Sequence, residues 1–327
     1  MPKPVLLCAA DISHLPETRA HLETAFELRV VRPATSEALA RALPLADAYF
    51  ASLEVRLTDD LMDLAPRLKA IATPTTGLDH LDLVAAAERG IAVLSIKNER
   101  ALLDRITATA ELAWALVLAC SRRLPAAFDA TRAGCWARDT LRGHQLAEKT
   151  CGIIGCGRLG TMVAQYARAF RMPVLGYDTR EIHLDGVENV TLNELLARSD
   201  VISVHIHLTE ANLGFLNRER IFRMKPGAIL VNTSRGAIVD ENAVVDALNA
   251  GHLGAYGTDV IDGEWREDLE NHPLIRHARE HDNAVITPHI GGITYESQAL
   301  AYKHTAGMLV DYCRRIGLIN EEAAKTH

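Results

Sequence analysis

Four stretches of this chain carry residues whose types and spacing can do chemistry. The first is Gly155-Cys156-Gly157-Arg158-Leu159-Gly160, with an acid, Asp178, eighteen residues beyond the last glycine. Gly155 permits a tight turn, Gly157 lets a pyrophosphate approach the backbone, and Gly160 lets a helix pack closely on a strand. A phosphate then rests at the helix N-terminus, where free N–H groups and the dipole favour an anion. The other three are Val231-Asn232-Thr233-Ser234-Arg235-Gly236, Gly257-Thr258-Asp259-Val260-Ile261-Asp262-Gly263-Glu264 and Ile286-Thr287-Pro288-His289-Ile290-Gly291-Gly292. Each follows an apolar run and holds polar groups that a fold alone does not require. If all sit at C-terminal strand ends, they converge with the glycine loop on one crevice.

The elements that must position these residues alternate regularly. Residues 151–154 read as a buried strand, the stretch from the glycine loop through Phe170 as a helix, and 174–177 as a second strand ending on Asp178. Beyond them, helices are expected over 191–197, 217–224 and 242–250, and strands over 201–204, 228–231, 255–257 and 284–286. The first hundred residues show the same alternation. Strands are expected at 5–9, 28–31, 48–50, 70–72 and 92–94, with helices over 14–25, 36–42, 58–64 and 81–89. The expected fold class is α/β, with two doubly wound parallel-sheet domains. Residues 107–123 form a long helix with too much apolar circumference for a one-sided surface helix, which places it between domains or against another subunit. Its Glu111 reads as a capping or interdomain hydrogen-bonding group. One early loop stands out, Thr73-Pro74-Thr75-Thr76-Gly77-Leu78-Asp79-His80. Its backbone N–H groups can receive a carboxylate, or it is an ordinary strand-to-helix turn capped by Asp79.

Composition narrows the function classes. A length of 327 residues predicts two domains. A net charge of −7 without a lysine/arginine block points away from nucleic acid and anionic membranes. No apolar run approaches the roughly 20 residues of a membrane span, and the N-terminus reads as a strand rather than a signal peptide. The six cysteines show no C-x-x-C pair, as expected for reduced thiols in a cytoplasmic protein. No metal site is expected. Cys156, inside the glycine loop, reads as structural rather than reactive.

Several long motifs resemble the D-isomer-specific 2-hydroxyacid dehydrogenase family, phosphoglycerate dehydrogenase-like in its layout. They are GCGRLG with Asp178, MKPGAILVNTSRGAIVDENAVVDAL from Met224, GTDV from Gly257, NHPL from Asn271 and TPHIGG from Thr287. LKAIATPTTGLDHLDLVAAAERGIAV, from Leu68, is similar to that family's substrate-binding segment. The resemblance implies a Rossmann NAD-binding domain over 103–292. It also implies a flavodoxin-like substrate domain from 1–102 and 293–327, and a homodimer joined through the NAD domains. It implies that His289 is the acid/base, Glu264 the carboxylate paired with it and Arg235 the substrate-binding arginine, with Thr76 and Gly77 N–H groups at the substrate carboxylate. Cofactor contacts are implied at Gly155, Gly157, Arg158, Leu159, Gly160, Asp178, His205, Thr209, Thr233, Ser234, Arg235, Asp259, His289 and Gly291, with Asp259 at the nicotinamide carboxamide.

The chemistry suits those roles. Reducing a 2-oxo acid needs a hydride on carbon and a proton on oxygen, and a histidine, ordinarily titrating near neutrality, is a suitable donor. A carboxylate beside it favours the protonated ring and holds one tautomer. Arginine stays charged and offers a planar fork to a carboxylate and carbonyl. Asp178 is expected to accept from the ribose hydroxyls and so to favour NAD over NADP, although Arg180 is placed to accommodate a 2′-phosphate in part. Taken singly, Arg235, Glu264 and His289 have plainer readings as a surface ion pair, a solvated acid and a satisfied histidine. Together and in order they favour catalysis over two alternatives. One is an NAD(H)-sensing, corepressor-like interaction protein, which has no need of a proton donor. The other is the formate dehydrogenase branch, which pairs its histidine with glutamine. Departures from the family pattern are Trp265 and His207, both at usual proline positions. Residues 49–55 also lack the arginine of phosphoglycerate-type members, with Arg56 as a stand-in.

Overall fold

The computed structural model describes residues 2–319. The chain divides after Ile106 and after Thr294 into two units, one built from both ends and one from the middle.

The end unit holds a five-stranded sheet: β1 Val5–Cys8, β2 Glu27–Val30, β3 Ala48–Phe50, β4 Ala70–Thr73 and β5 Ala92–Ser95. Their order, β2-β1-β3-β4-β5, is the flavodoxin-like doubly wound order, and every pairing is parallel. Alternation along the strands feeds two cores. Leu7, Tyr49 and Ile71 enter one, while Leu6, Cys8, Phe50 and Ala72 enter the other with Ala306, Leu309 and Val310 of helix Tyr295–Arg315. Each large apolar side chain so buried contributes about 1.5–3 kcal/mol.

The middle unit holds seven parallel strands: β6 Cys151–Ile154, β7 Val174–Tyr177, β8 Val187–Asn189, β9 Val201–Val204, β10 Ala228–Asn232, β11 Leu253–Thr258 and β12 Ala284–Ile286. Their order, β12-β11-β10-β9-β6-β7-β8, is the Rossmann order with one more strand. Register decides the position of the site. Ile154 pairs with Tyr177 and Val204, Asn232 with Val204 and Thr258, and Thr258 with Ile286. The residues that follow, 155, 178, 205, 233, 259 and 287, therefore leave the sheet along one edge. Helices Ala108–Arg122 and Arg158–Ala169 cover one face; Leu192–Arg198, Arg218–Phe222, Glu241–Asn249 and Pro273–Glu280 cover the other.

Some sequence expectations need correction. Helix Ala108–Arg122 is apolar around much of its girth because it lies on β10, β11 and helix Arg158–Ala169 within its own unit. Trp114 there meets Phe170 edge-on, and Glu111 accepts from Thr107 in its own first turn. Helix Leu83–Glu88 is capped by Asp82, which accepts from Ala85 N at 3.0 Å, rather than by Asp79. Strand β8 and helix Pro273–Glu280 were not expected. Among the described residues no helix is long and apolar enough to cross a membrane, and no cluster of His, Cys, Asp and Glu could hold a metal.

Candidate active site

The glycine loop leaves β6 with Gly155 at φ +91°, a left-handed conformation that disfavours other residues. A Cβ there would lie 2.6 Å from the His205 carbonyl oxygen, so strands β6 and β9 can exit side by side only with glycine. At Gly160 a Cβ would fall 2.0 Å from the Gly155 oxygen; its absence lets the helix start against the turn. At Gly157, by contrast, a Cβ would meet nothing within 4 Å. That side of the loop has room for a phosphate in front of the helix N-terminus, beside Arg158 and Leu159 in the first turn. The loop thus fits a dinucleotide. Asp178 joins the same turn: Cys156 N donates to its Oδ2 at 2.8 Å and Arg180 N to its Oδ1 at 3.1 Å. The Arg180 guanidinium, 82% exposed, lies 3.9 Å from that carboxylate. Burial and the Asp178 charge push the Cys156 thiol up to about 12, which disfavours the reactive thiolate.

At the end of β9, His205 Nε2 lies 2.9 Å from Ser203 Oγ, and burial pushes the imidazole down to about 4, so it is neutral at pH 7. Thr209 and Asn212 form a small capping box. The exposed His207 offers its carbonyl to Asn212, a backbone-positioned place.

After β10, Asn232 folds its own loop. Its Oδ1 accepts from Ser234 N at 2.9 Å, and its Nδ2 donates to the Arg235 oxygen at 2.9 Å. Ser234 Oγ donates to the Val204 oxygen at 2.8 Å, tying the loop to β9, while Thr233 is buried. Arg235 Nη1 donates to the Ser234 oxygen at 2.7 Å. A Cβ on Gly236 would sit 2.0 Å from the Ile261 carbonyl carbon. This loop therefore lies directly on the loop that carries Glu264.

The last two loops meet through Asp259 and His289. Asp259, 2% exposed, accepts from Thr287 Oγ1 at 2.6 Å and Ile290 N at 2.8 Å on Oδ1, and from Gly291 N at 2.7 Å on Oδ2. Burial raises its carboxyl above the usual range against the pull of those bonds. Its backbone oxygen accepts from His289 N at 2.9 Å. His289 is held at φ +54°, a left-handed conformation costing about 1–2 kcal/mol that the surrounding bonds impose. That geometry aims the ring at Glu264: Nδ1 lies 2.8 Å from Oε2 and 3.0 Å from Oε1, with the side chains 23% and 17% exposed. Gly263 at φ +72° turns the loop just before Glu264, with Trp265 following half-buried.

Thr76 and Gly77 lie on the loop after β4. Thr75 Oγ1 donates to the Gly77 oxygen at 2.8 Å and lies 2.8 Å from Thr73 Oγ1, which in turn is 3.1 Å from Nε2 of the buried His80. Arg56 is exposed.

Sequence reasoning missed two residues behind the loops, Glu241 and His272, a buried pair 3.0 Å apart. NHPL was recognised as a motif, but nothing in it tells that His272 turns inward. It also assigned Asp259 only a cofactor contact, whereas its carboxylate organises the 287–291 turn.

Residues 114–291 match the family model described as D-isomer specific 2-hydroxyacid dehydrogenase, NAD binding domain. The D-3-phosphoglycerate dehydrogenase of Mycobacterium bovis is 36% identical over 99% of this chain, which spans 61% of that relative's length. The hydroxypyruvate reductase of Thermotoga maritima is 38% identical over 80% of this chain and 82% of its own. Among solved structures, D-lactate dehydrogenase from Aquifex aeolicus, complexed with NAD and lactic acid, superposes with a TM-score of 0.79 at 29% identity, covering 96% of this chain and 97% of that one. The middle unit is thus an NAD-binding Rossmann domain, and NAD is the cofactor. With the fold, the glycine loop and these relatives in agreement, the chain belongs to the D-isomer specific 2-hydroxyacid dehydrogenase family.

Proposed function

We propose that the chain is an NAD-dependent dehydrogenase interconverting a D-2-hydroxy acid and its 2-oxo acid. The observation that carries this reading is the His289–Glu264 pair at 2.8 Å, held by a strained backbone that a cofactor-binding module alone has no need to maintain. Glu264 on Nδ1 fixes the tautomer and leaves Nε2 as the atom that gives a proton to the carbonyl oxygen or takes one from the hydroxyl. Arg235 binds the substrate carboxylate and polarises the carbonyl. The nicotinamide supplies or accepts the hydride. Asp178 receives the ribose hydroxyls, favouring NAD over NADP, and Arg180 beside it is engaged with that same carboxylate.

The substrate we infer is a small, unphosphorylated 2-oxo acid, of the kind the hydroxypyruvate and lactate relatives' names indicate. Exposed Phe128 and Trp136, 56% and 81% accessible, support a homodimer through the NAD domain. The test is NADH oxidation with a panel of 2-oxo acids, followed at the nicotinamide absorbance band. Turnover with at least one is expected; NADH binding with no turnover on any would sink the reading in favour of a cofactor sensor.

A further inference from the structure

Behind the Glu264 loop lies a buried acid–base pair. Glu241 is the first residue of helix Glu241–Asn249, and His272 immediately precedes helix Pro273–Glu280. Their side chains are 7% and 3% exposed, with His272 Nε2 3.0 Å from Glu241 Oε2. The other oxygen, Oε1, accepts from Asp262 N at 3.1 Å. Asp262 is two residues from Glu264, and its backbone is the one that packs on Gly236, next to Arg235. One buried carboxylate therefore grips the loop of the Glu264 side chain where that loop rests on the loop of Arg235.

We propose that Glu241, held in place by His272, is a positioning residue that sets the reach of Glu264 to His289. The inference rests on the dehydrogenase reading above. Loop 262–264 extends past the last ladder residue of β11 and turns at Gly263, so its placement depends on ties from outside the strand. A helix N-terminus favours an acid at position 241, but burial of that acid requires partners, and both of its oxygens have one. Around the pair stand Asp240 at the helix cap, Asp262 on the loop, the Tyr256 hydroxyl, and Arg266, which is paired with Asp268. Burial, the largest influence on each, pushes Glu241 up to about 7 and His272 down. Burial thus disfavours the charged form of each, and their contact offsets part of that cost.

The experiment is a double-mutant cycle. Glu241→Met, near in volume but without an acceptor, is expected to lower kcat by roughly 10- to 100-fold through displacement of the reacting groups. NADH affinity and KM should stay within about threefold. In a Glu264→Gln background the same substitution should add less than about twofold. Glu241→Gln, which keeps an acceptor for Asp262 N–H, should recover most of the loss. An unchanged kcat, a loss that falls on KM instead of kcat, or a loss that multiplies with that of Glu264→Gln overturns the proposal. If Glu241→Met does not fold, His272→Gln enters the same cycle; if neither folds, the pair is a folding element and the proposal is overturned. A wild-type protein without turnover would instead remove the dehydrogenase reading, so the two failures are distinguishable.

Discussion

The two units wind their sheets by the same rule and use the resulting crevice differently. In a doubly wound sheet the strand order reverses at one place, and the loops leaving the two central strands part there. In the end unit that place lies between β1 and β3, and the loop after β1, residues 9–15, contains no glycine. Charged side chains meet one another there. Arg32 Nη1 lies 2.8 Å from both Glu54 oxygens, Arg32 Nη2 3.5 Å from Asp11, and Asp11 accepts from Ser13 Oγ at 2.7 Å. The Ser13 hydroxyl and N–H hold the Asp11 carboxyl below the ordinary range. In the middle unit the reversal lies between β6 and β9, and there the backbone itself faces outward. Gly155 and Gly160 let strand and helix close up, and Gly157 keeps the front of the helix clear. Winding alone thus provides a crevice; glycine spacing decides whether it presents main-chain N–H groups to a phosphate or side chains to each other.

The largest expected effect tests whether the middle unit carries the chemistry as well as the cofactor. His289→Gln should lower kcat/KM by about 10²- to 10⁴-fold while NADH binding, measured by fluorescence titration, is retained. A cofactor sensor would show little turnover before the change and keep any NADH-dependent association after it.

Next comes the neutral histidine at the middle unit's reversal. His205 is depressed from 6.5 to about 4 by burial, so the unfolded chain takes up a proton before the folded one does. Its contribution to stability is full above about pH 6.5 and is lost as pH falls toward 4. His205→Gln does not titrate, so its urea midpoint should fall less than wild type on acidification. The difference is on the order of 2 kcal/mol between about pH 7 and pH 5. Glu241, pushed up to about 7, acts with opposite sign, losing stability as pH rises from about 4.5 to 7. It does so in both proteins and cancels in the comparison; equal acid sensitivity of the two would refute the assignment.

Gly157→Ala separates folding from binding. The added methyl meets no protein atom, so the melting temperature of the cofactor-free protein should hold. The dissociation constant for NADH, however, should rise by roughly tenfold or more, worth about 1.4 kcal/mol. A fall in melting temperature with unchanged affinity would mean the loop is packed against protein, like the other reversal. The smallest effect is expected in the end unit, where Glu54→Gln weakens an exposed ion pair. Stability should change by under about 1 kcal/mol and NADH affinity not at all. A clear loss of cofactor affinity would break the contrast between the two reversals.

Legibility in the sequence followed the strength of the local signal. The central strands of both sheets were readable because parallel strands buried on both faces are short continuous apolar runs. Strand β8, with sequence VEN at the sheet edge, has one apolar residue and two exposed polar ones, so no run marks it. Helix Pro273–Glu280, PLIRHARE, buries only Leu274 and His277, too few apolar positions to reveal a period. Helix Ala108–Arg122 was readable as a helix but not by its neighbours, since apolar girth tells that a surface is covered and not by what.

The sequence by itself determined the glycine spacing, the acid after β7, and the order of the arginine, glutamate and histidine loops. These are local matters of residue type, turn chemistry and strand ends, which neighbouring residues dictate. Only the tertiary structure decided that strand register carries those loops out along one edge, and that Asp259 folds the 287–291 turn to aim His289 at Glu264. It alone placed Glu241 and His272, thirty-one positions apart, together under the Asp262 backbone. Such pairings depend on burial and hydrogen-bond satisfaction between distant segments, which no spacing along one chain encodes. The glycine loop announces a dinucleotide; the packing behind the last two loops sets how its histidine is held.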